Sequence, residues 1–159
     1  MLELFCKNQA EVETFASALA AGVQAGDLIA LSGDLGAGKS TFARAFIRAA
    51  VVNSDAEVPS PTFTLVQSYS TGAYDIYHVD LYRLQGPDDV YDLGLDEERD
   101  DAVFLVEWPD RMPANWWQHA LEIKLVREGV ATEAGDEARR LVFAGNLDRW
   151  QILLEGLLP

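Results

Sequence analysis

Residues 33–41 read Gly-Asp-Leu-Gly-Ala-Gly-Lys-Ser-Thr, a complete G-x-x-x-x-G-K-[ST] pattern lying between an apolar run and an amphipathic one. No other stretch restricts the fold so tightly. Gly33, Gly36 and Gly38 let the backbone turn through conformations closed to residues with side chains. The N–H groups of the loop, which also contains Asp34, Leu35 and Ala37, can then converge on nucleotide phosphates, with Lys39 reaching toward the β and γ groups. Ser40 presents a hydroxyl to Mg²⁺, and the helix that follows aims its positive end at the same anion.

Such a loop needs a buried strand before it and a helix after it. Leu28-Ile29-Ala30-Leu31-Ser32 is a short apolar run, as in a strand covered on both faces. Phe42, Ala43, Phe46, Ile47 and Ala50 then recur at helical spacing, with Arg44 and Arg48 facing away. Both conditions hold, and the reading is a mononucleotide-binding site.

The rest of the chain fits one domain, 1–159, of 159 residues with 49% apolar content. No apolar stretch approaches the roughly 20 residues that span a membrane, and Met1 to Cys6 lacks the basic start of a signal peptide. Cys6 is the single cysteine, which fits a reducing cytoplasm; it reads as a small buried hydrophobe of the first strand. Twelve basic residues against twenty-six acidic ones give a net charge of −14 with no basic block. That balance argues against direct tight binding of nucleic acid.

Residues 9–24 carry Val12, Phe15, Ala16, Leu19, Ala20 and Val23 on one side, predicting a helix. Pro59 and Pro61 stiffen a loop at 53–61. Thr62 to Ser70 and Tyr74 to Tyr82 read as a hairpin. Residues 86–101 are strongly acidic; Val90, Leu93 and Leu95 predict a helical segment with a solvated outer face, or alternatively a docking patch for a basic partner. Ala102 to Glu107 is a second buried strand. His119–Arg127 and Arg139–Phe143 alternate as strands near the sheet's edge, joined by a polar connector at 129–137, and 147–158 predicts a closing helix. The fold class is α/β: a three-layer domain of the P-loop NTPase type, its mixed, mainly parallel central sheet carrying antiparallel edge strands at one side.

Hydrolysis needs carboxylates that manage Mg²⁺ and water. Glu107 ends an apolar strand, making it the better metal-side ligand together with Ser40. Asp80 ends a half-exposed strand and is the better group for ordering the attacking water or for linking a mobile loop to the site. Thr62 and Thr64 follow the stiff Pro-Ser-Pro loop, where a hydroxyl can sense the γ-phosphate; both also suit an ordinary strand. Arg83 suits either phosphate or the acidic segment. His78 reads as a packing or hydrogen-bonding residue rather than a metal ligand. Trp108 walls the site, while Trp116, Trp117 and Trp150 pack.

Together, the loop at 33–41, Pro-Ser-Pro-Thr-Phe-Thr-Leu-Val at 59–66, His-Val-Asp-Leu-Tyr-Arg-Leu at 78–84 and Val-Glu-Trp-Pro at 106–109 closely resemble the TsaE family, also known as YjeE. The resemblance implies an ATPase of bacterial tRNA threonylcarbamoyladenosine (t6A) biosynthesis, weak alone, that supports the TsaB–TsaD complex in modifying adenosine 37 of tRNAs reading ANN codons. The tRNA is met indirectly, through TsaD and TsaB. By motif, it implies that Lys39 contacts phosphate, that Thr41 contacts the α-phosphate, that Ser40 and Glu107 serve Mg²⁺, and that Asp80 and Trp108 belong to the site. The motifs weaken after Pro109 and in the first helix, where Gln9 and Glu11 are the suggestions for an adenine contact. Two alternatives stand beside this reading: a small-molecule kinase, against which the acidic 86–101 stretch counts because kinase lids carry arginine, and a non-catalytic ATP-dependent regulatory module. No N-K-x-D motif points to guanine.

Overall fold

The computed structural model describes residues 2–129, 137–145 and 147–159. Seven strands form one sheet: β1 (Leu2–Cys6), β2 (Leu28–Ser32), β3 (Val66–Ser70), β4 (Asp75–Asp80), β5 (Val103–Glu107), β6 (Ala120–Glu128) and β7 (Ala138–Gly145). Their spatial order is β1-β7-β6-β2-β5-β4-β3. The four central strands run parallel, while β3 pairs antiparallel to β4 and β7 lies antiparallel between β6 and β1. Antiparallel strands therefore flank the parallel centre on both sides, not on one as the sequence suggested. β6 also sits deeper than expected, directly beside β2, because Ala120, Leu121, Ile123 and Leu125 are all buried.

Alternation along the central strands separates two cores. Ile29 and Leu31 of β2, with Val103 and Leu105 of β5, face Phe15, Phe42, Phe46, Trp150 and Leu154. These come from α1 (Gln9–Ala20), α2 (Lys39–Ala50) and α5 (Asp148–Leu157). Leu28, Ala30, Phe104 and Val106 face the other way, onto Val90, Leu95, Met112 and Trp116. That second layer contains α3 (Pro87–Tyr91), α4 (Ala114–Trp117) and a 3₁₀ turn at Asp96–Glu98. The acidic stretch thus buries Val90 and Leu95 and leaves Asp88, Asp92, Asp96 and Glu97 exposed. Trp116 and Trp150 are buried packing residues, each donating its indole N–H, to Asp96 and to the His119 carbonyl.

Two expected boundaries shift. α1 ends at Ala20 rather than 24, because the N–H groups of Ala21 and Gly22 turn back to Ala18 and Leu19. β3 begins at Val66 rather than Thr62: Leu65 N–H closes a turn onto the Pro61 carbonyl, and Leu65 itself is left-handed (φ 68°). Most of the expected 129–137 connector lies outside the described residues.

Cys6 ends β1 at 1% exposure, and burial, reinforced by the Glu11 charge, pushes its thiol up to about 11. The native protein should therefore resist a thiol-specific chromogenic reagent at pH 8 and react with one equivalent once unfolded in guanidinium. Rapid native labelling would show an accessible thiolate.

Candidate functional site

The loop at 33–38 leaves the central strand β2 and enters α2 at Lys39, with Gly33, Gly36 and Gly38 at φ 138°, 79° and 111°. A Cβ at Gly33 would meet the Leu125 carbonyl oxygen at 2.5 Å, so glycine is required there by contact as well as by conformation. Lys39 is only 5% exposed. Its Nζ donates to the carbonyls of Gly33 (2.6 Å) and Asp34 (3.0 Å) and lies 4.2 Å from the Trp108 ring centroid. Burial lowers the pKa of this amine, while the charges of Glu107, Asp80 and Asp34 oppose that shift.

The facing wall comes from sheet register. Asp80 and Glu107 are opposite residues at the ends of parallel β4 and β5, and Glu107 is also opposite Leu31 of β2. Both carboxylates are 3% exposed. Glu107 accepts from Ser40 Oγ at 3.2 Å through Oε1, and its Oε2 lies 2.6 Å from His78 Nε2. His78 thus hydrogen-bonds, as its sequence position implied. Asp80 accepts from Thr62 Oγ1 (3.2 Å) and from the Tyr82 N–H (2.9 Å), tying the Pro-Ser-Pro loop to the strand end.

These residues enclose a cleft of about 240 Å³, lined by Leu35, Gly36, Gly38, Lys39, Ser40, Thr41, Ser60, Thr62, Asp80, Glu107 and Trp108. Gly33 and Asp34 act through the carbonyls that hold Lys39, and Ala37, within the loop, is buried at 1% exposure. Trp108 takes a left-handed conformation (φ 56°) that turns its ring against Tyr82 at 4.9 Å. Thr64 accepts from Gln67 and Arg83 lies 5.7 Å from the Phe63 ring, both outside the cleft lining, and Arg83 forms no ion pair with the described residues 86–101.

The donor set suits a hard cation shared with a phosphate. A serine hydroxyl and a carboxylate oxygen already touch at the cleft floor, with a second carboxylate in register beside them. Among the described residues no cluster of three or more His, Cys, Asp or Glu could hold a metal by itself. Mg²⁺ commonly binds this way, through one or two protein oxygens completed by substrate phosphates and water.

On the other side of the loop lies a second cavity of about 170 Å³, lined by Gln9, Val12, Gly36, Ala37, Gly38, Thr41, Glu137 and Arg139. Of the two suggested adenine contacts, Gln9 lines this cavity. Glu11 is instead part of the helix cap: Asn8 Oδ1 accepts the Glu11 N–H and Glu11 Oε2 accepts the Lys7 N–H. Ser60, Tyr82, Arg127 and Arg139 were not singled out from sequence. Ser60 was recoverable from its place in Pro-Ser-Pro; the arginines reach the loop only through a long-range strand pairing.

A glycine-rich loop between a central parallel strand and a helix, faced by carboxylates on neighbouring strands, defines an α/β domain of the P-loop class. The family model described as "Threonylcarbamoyl adenosine biosynthesis protein TsaE" matches residues 6–138. Relatives named tRNA threonylcarbamoyladenosine biosynthesis protein TsaE include those of Bacillus subtilis, 37% identical over 94% of this chain and 89% of that protein, and Rickettsia felis, 37% identical over 87% and 76%. The crystal structure of YdiB from Bacillus subtilis superposes with a TM-score of 0.72 at 30% identity, covering 98% of this chain and 93% of the other. The chain belongs to the TsaE family.

Proposed function

We propose that this protein binds and hydrolyses ATP with Mg²⁺, and that it thereby supports a TsaB–TsaD complex in the threonylcarbamoylation of adenosine 37 in tRNAs reading ANN codons. Membership of the TsaE family supports the pathway. The observation that carries the chemistry is the register match of Asp80 with Glu107, which sets two buried carboxylates across one cleft from Lys39 and Ser40.

On this reading the loop N–H groups and Lys39 bind the phosphate chain, with the ammonium leaving the Gly33 and Asp34 carbonyls for phosphate oxygens. Thr41 meets the α-phosphate, and the nucleoside extends toward the cavity beside Gln9. Ser40 and Glu107 hold Mg²⁺, which when bound neutralises charge on the transferring phosphoryl group. Asp80 orients the attacking water, and Thr62 links it to the 59–65 loop. The net charge of −14 suits a protein that meets tRNA only through its partners. A kinase reading is less well supported, because the 86–101 stretch packs Val90 and Leu95 under the sheet rather than forming a basic lid.

Titrating ATP with and without Mg²⁺, and measuring phosphate release alone and with purified TsaB–TsaD, tests this directly. Magnesium-dependent binding and partner-stimulated release are expected; binding without any release, even with the partners, would overturn hydrolysis and leave the regulatory-module and kinase readings.

A further inference from the structure

The phosphate loop is gripped from outside by two arginines of the β6–β7 hairpin. Arg127 Nη2 donates to the Gly36 carbonyl at 3.0 Å, and Arg139 Nε donates to the Ala37 carbonyl at 2.7 Å. Arg139 is mostly buried, with 17% of its side chain exposed. Its Nη1 also donates to the Glu137 carbonyl (3.1 Å), Glu137 Oε2 (3.2 Å) and the Ala138 carbonyl (3.2 Å). Glu137 Oε2 lies 3.6 Å from Arg127 Nε as well, so one carboxylate fixes both guanidinium groups.

In a planar trans peptide the carbonyl of one residue and the N–H of the next point in opposite directions. Holding the Gly36 carbonyl outward turns the Ala37 N–H inward, where it closes the loop's turn onto the Asp34 carbonyl at 3.0 Å. Holding the Ala37 carbonyl outward turns the Gly38 N–H the other way, into the loop. Gly38 is the N-cap of α2 and lines both cavities, and its N–H has no partner among the described residues. A Cβ at Gly36 would come within 2.6 Å of Arg127 Nη2, so this glycine also makes room for the grip.

We infer that Arg139, seconded by Arg127, is a positioning residue of the phosphate site: it fixes the Ala37–Gly38 peptide so that the Gly38 N–H is aimed at the anion before ATP arrives. Arg139 lies one residue beyond the stretch matched to the family model. The inference rests on the phosphate-binding reading. Planarity of the guanidinium is the operative feature, since Nε must bond the loop while Nη1 is tethered to Glu137.

The test measures Mg²⁺–ATP affinity, competition by tripolyphosphate, and steady-state turnover for wild type, Arg139→Gln, Arg139→Lys and Arg127→Gln. Tripolyphosphate has no nucleoside, so it isolates the loop from direct contacts in the cavity beside Arg139. Both Arg139 variants should weaken ATP and tripolyphosphate alike by about tenfold, the lower range for a charge-assisted hydrogen bond. KM for ATP should rise with kcat nearly unchanged, because the reacting end lies at Asp80 and Glu107. Arg127→Gln, at a half-exposed position, should show a smaller effect of the same sign and serves as the probe if the buried-site variants fail to fold. Wild-type affinity in Arg139→Lys would mean that charge alone matters and would overturn the positioning role. So would a fall in kcat at constant KM, or unchanged affinity in Arg127→Gln where that is the only folded variant. If the wild-type protein bound neither anion, the ATPase reading itself would fail; if it bound both and the variants matched it, this inference alone would.

Discussion

Replacing Lys39 by alanine should reduce ATP affinity by ~100-fold or more, since two hydrogen bonds from an ammonium to phosphate contribute about 1.5–3 kcal/mol each. The side chain is 5% exposed and held over the Trp108 ring, so it is already withdrawn from bulk water before any ligand arrives. Its two carbonyl bonds, to Gly33 and Asp34, are replaceable by phosphate oxygens of higher charge. A calorimetric titration of the variant supplies the affinity. Melting of the empty protein supplies the control: the lost carbonyl bonds and the relief of a buried cation oppose each other, so Tm should move by only about 2–4 °C, the response to roughly 1 kcal/mol. Retained affinity within tenfold of wild type would mean that Lys39 is a loop staple rather than a phosphate ligand.

The loop was legible because its chemistry is local. Nine consecutive residues specify the turn, the cation and the hydroxyl, and their flanks specify strand and helix without reference to anything distant. Glu107 and Asp80 were legible as strand ends, but that they are opposite each other is a fact of register, which no stretch of sequence encodes alone. Thr62 illustrates a misleading local signal. Its β-branched neighbourhood reads as strand, yet the turn closed by Leu65 onto Pro61 removes it from β3 and brings its hydroxyl to Asp80. The place of β7, inserted between β1 and β6, depends on pairings of Leu2 with Phe143 and of Glu128 with Ala138 that periodicity does not predict. The grip of Arg127 and Arg139 on the loop depends on that insertion, and so was invisible for the same reason.

Asp80→Asn should lower the rate of phosphate release by about 100-fold, the lower range for losing a positioned acid–base group, while changing ATP affinity only a few-fold. The two effects separate because Asp80 lies at the end of β4 beside Glu107, whereas on the proposed reading the phosphates are held by the loop N–H groups and Lys39. Asparagine is the better replacement. Alanine would leave the Thr62 hydroxyl and the Tyr82 N–H without their acceptor, and a loosened 59–65 loop would then imitate a catalytic defect. Asparagine keeps the volume and one acceptor oxygen but loses the charge that would draw a proton from water. Thr62→Val is the companion variant: it breaks the 3.2 Å bond to Asp80 while leaving the carboxylate in place. A large loss in Asp80→Asn with a mild one in Thr62→Val assigns the effect to the carboxylate. Equal losses would make loop anchoring the function of Asp80, and undiminished turnover in Asp80→Asn would remove it from the mechanism.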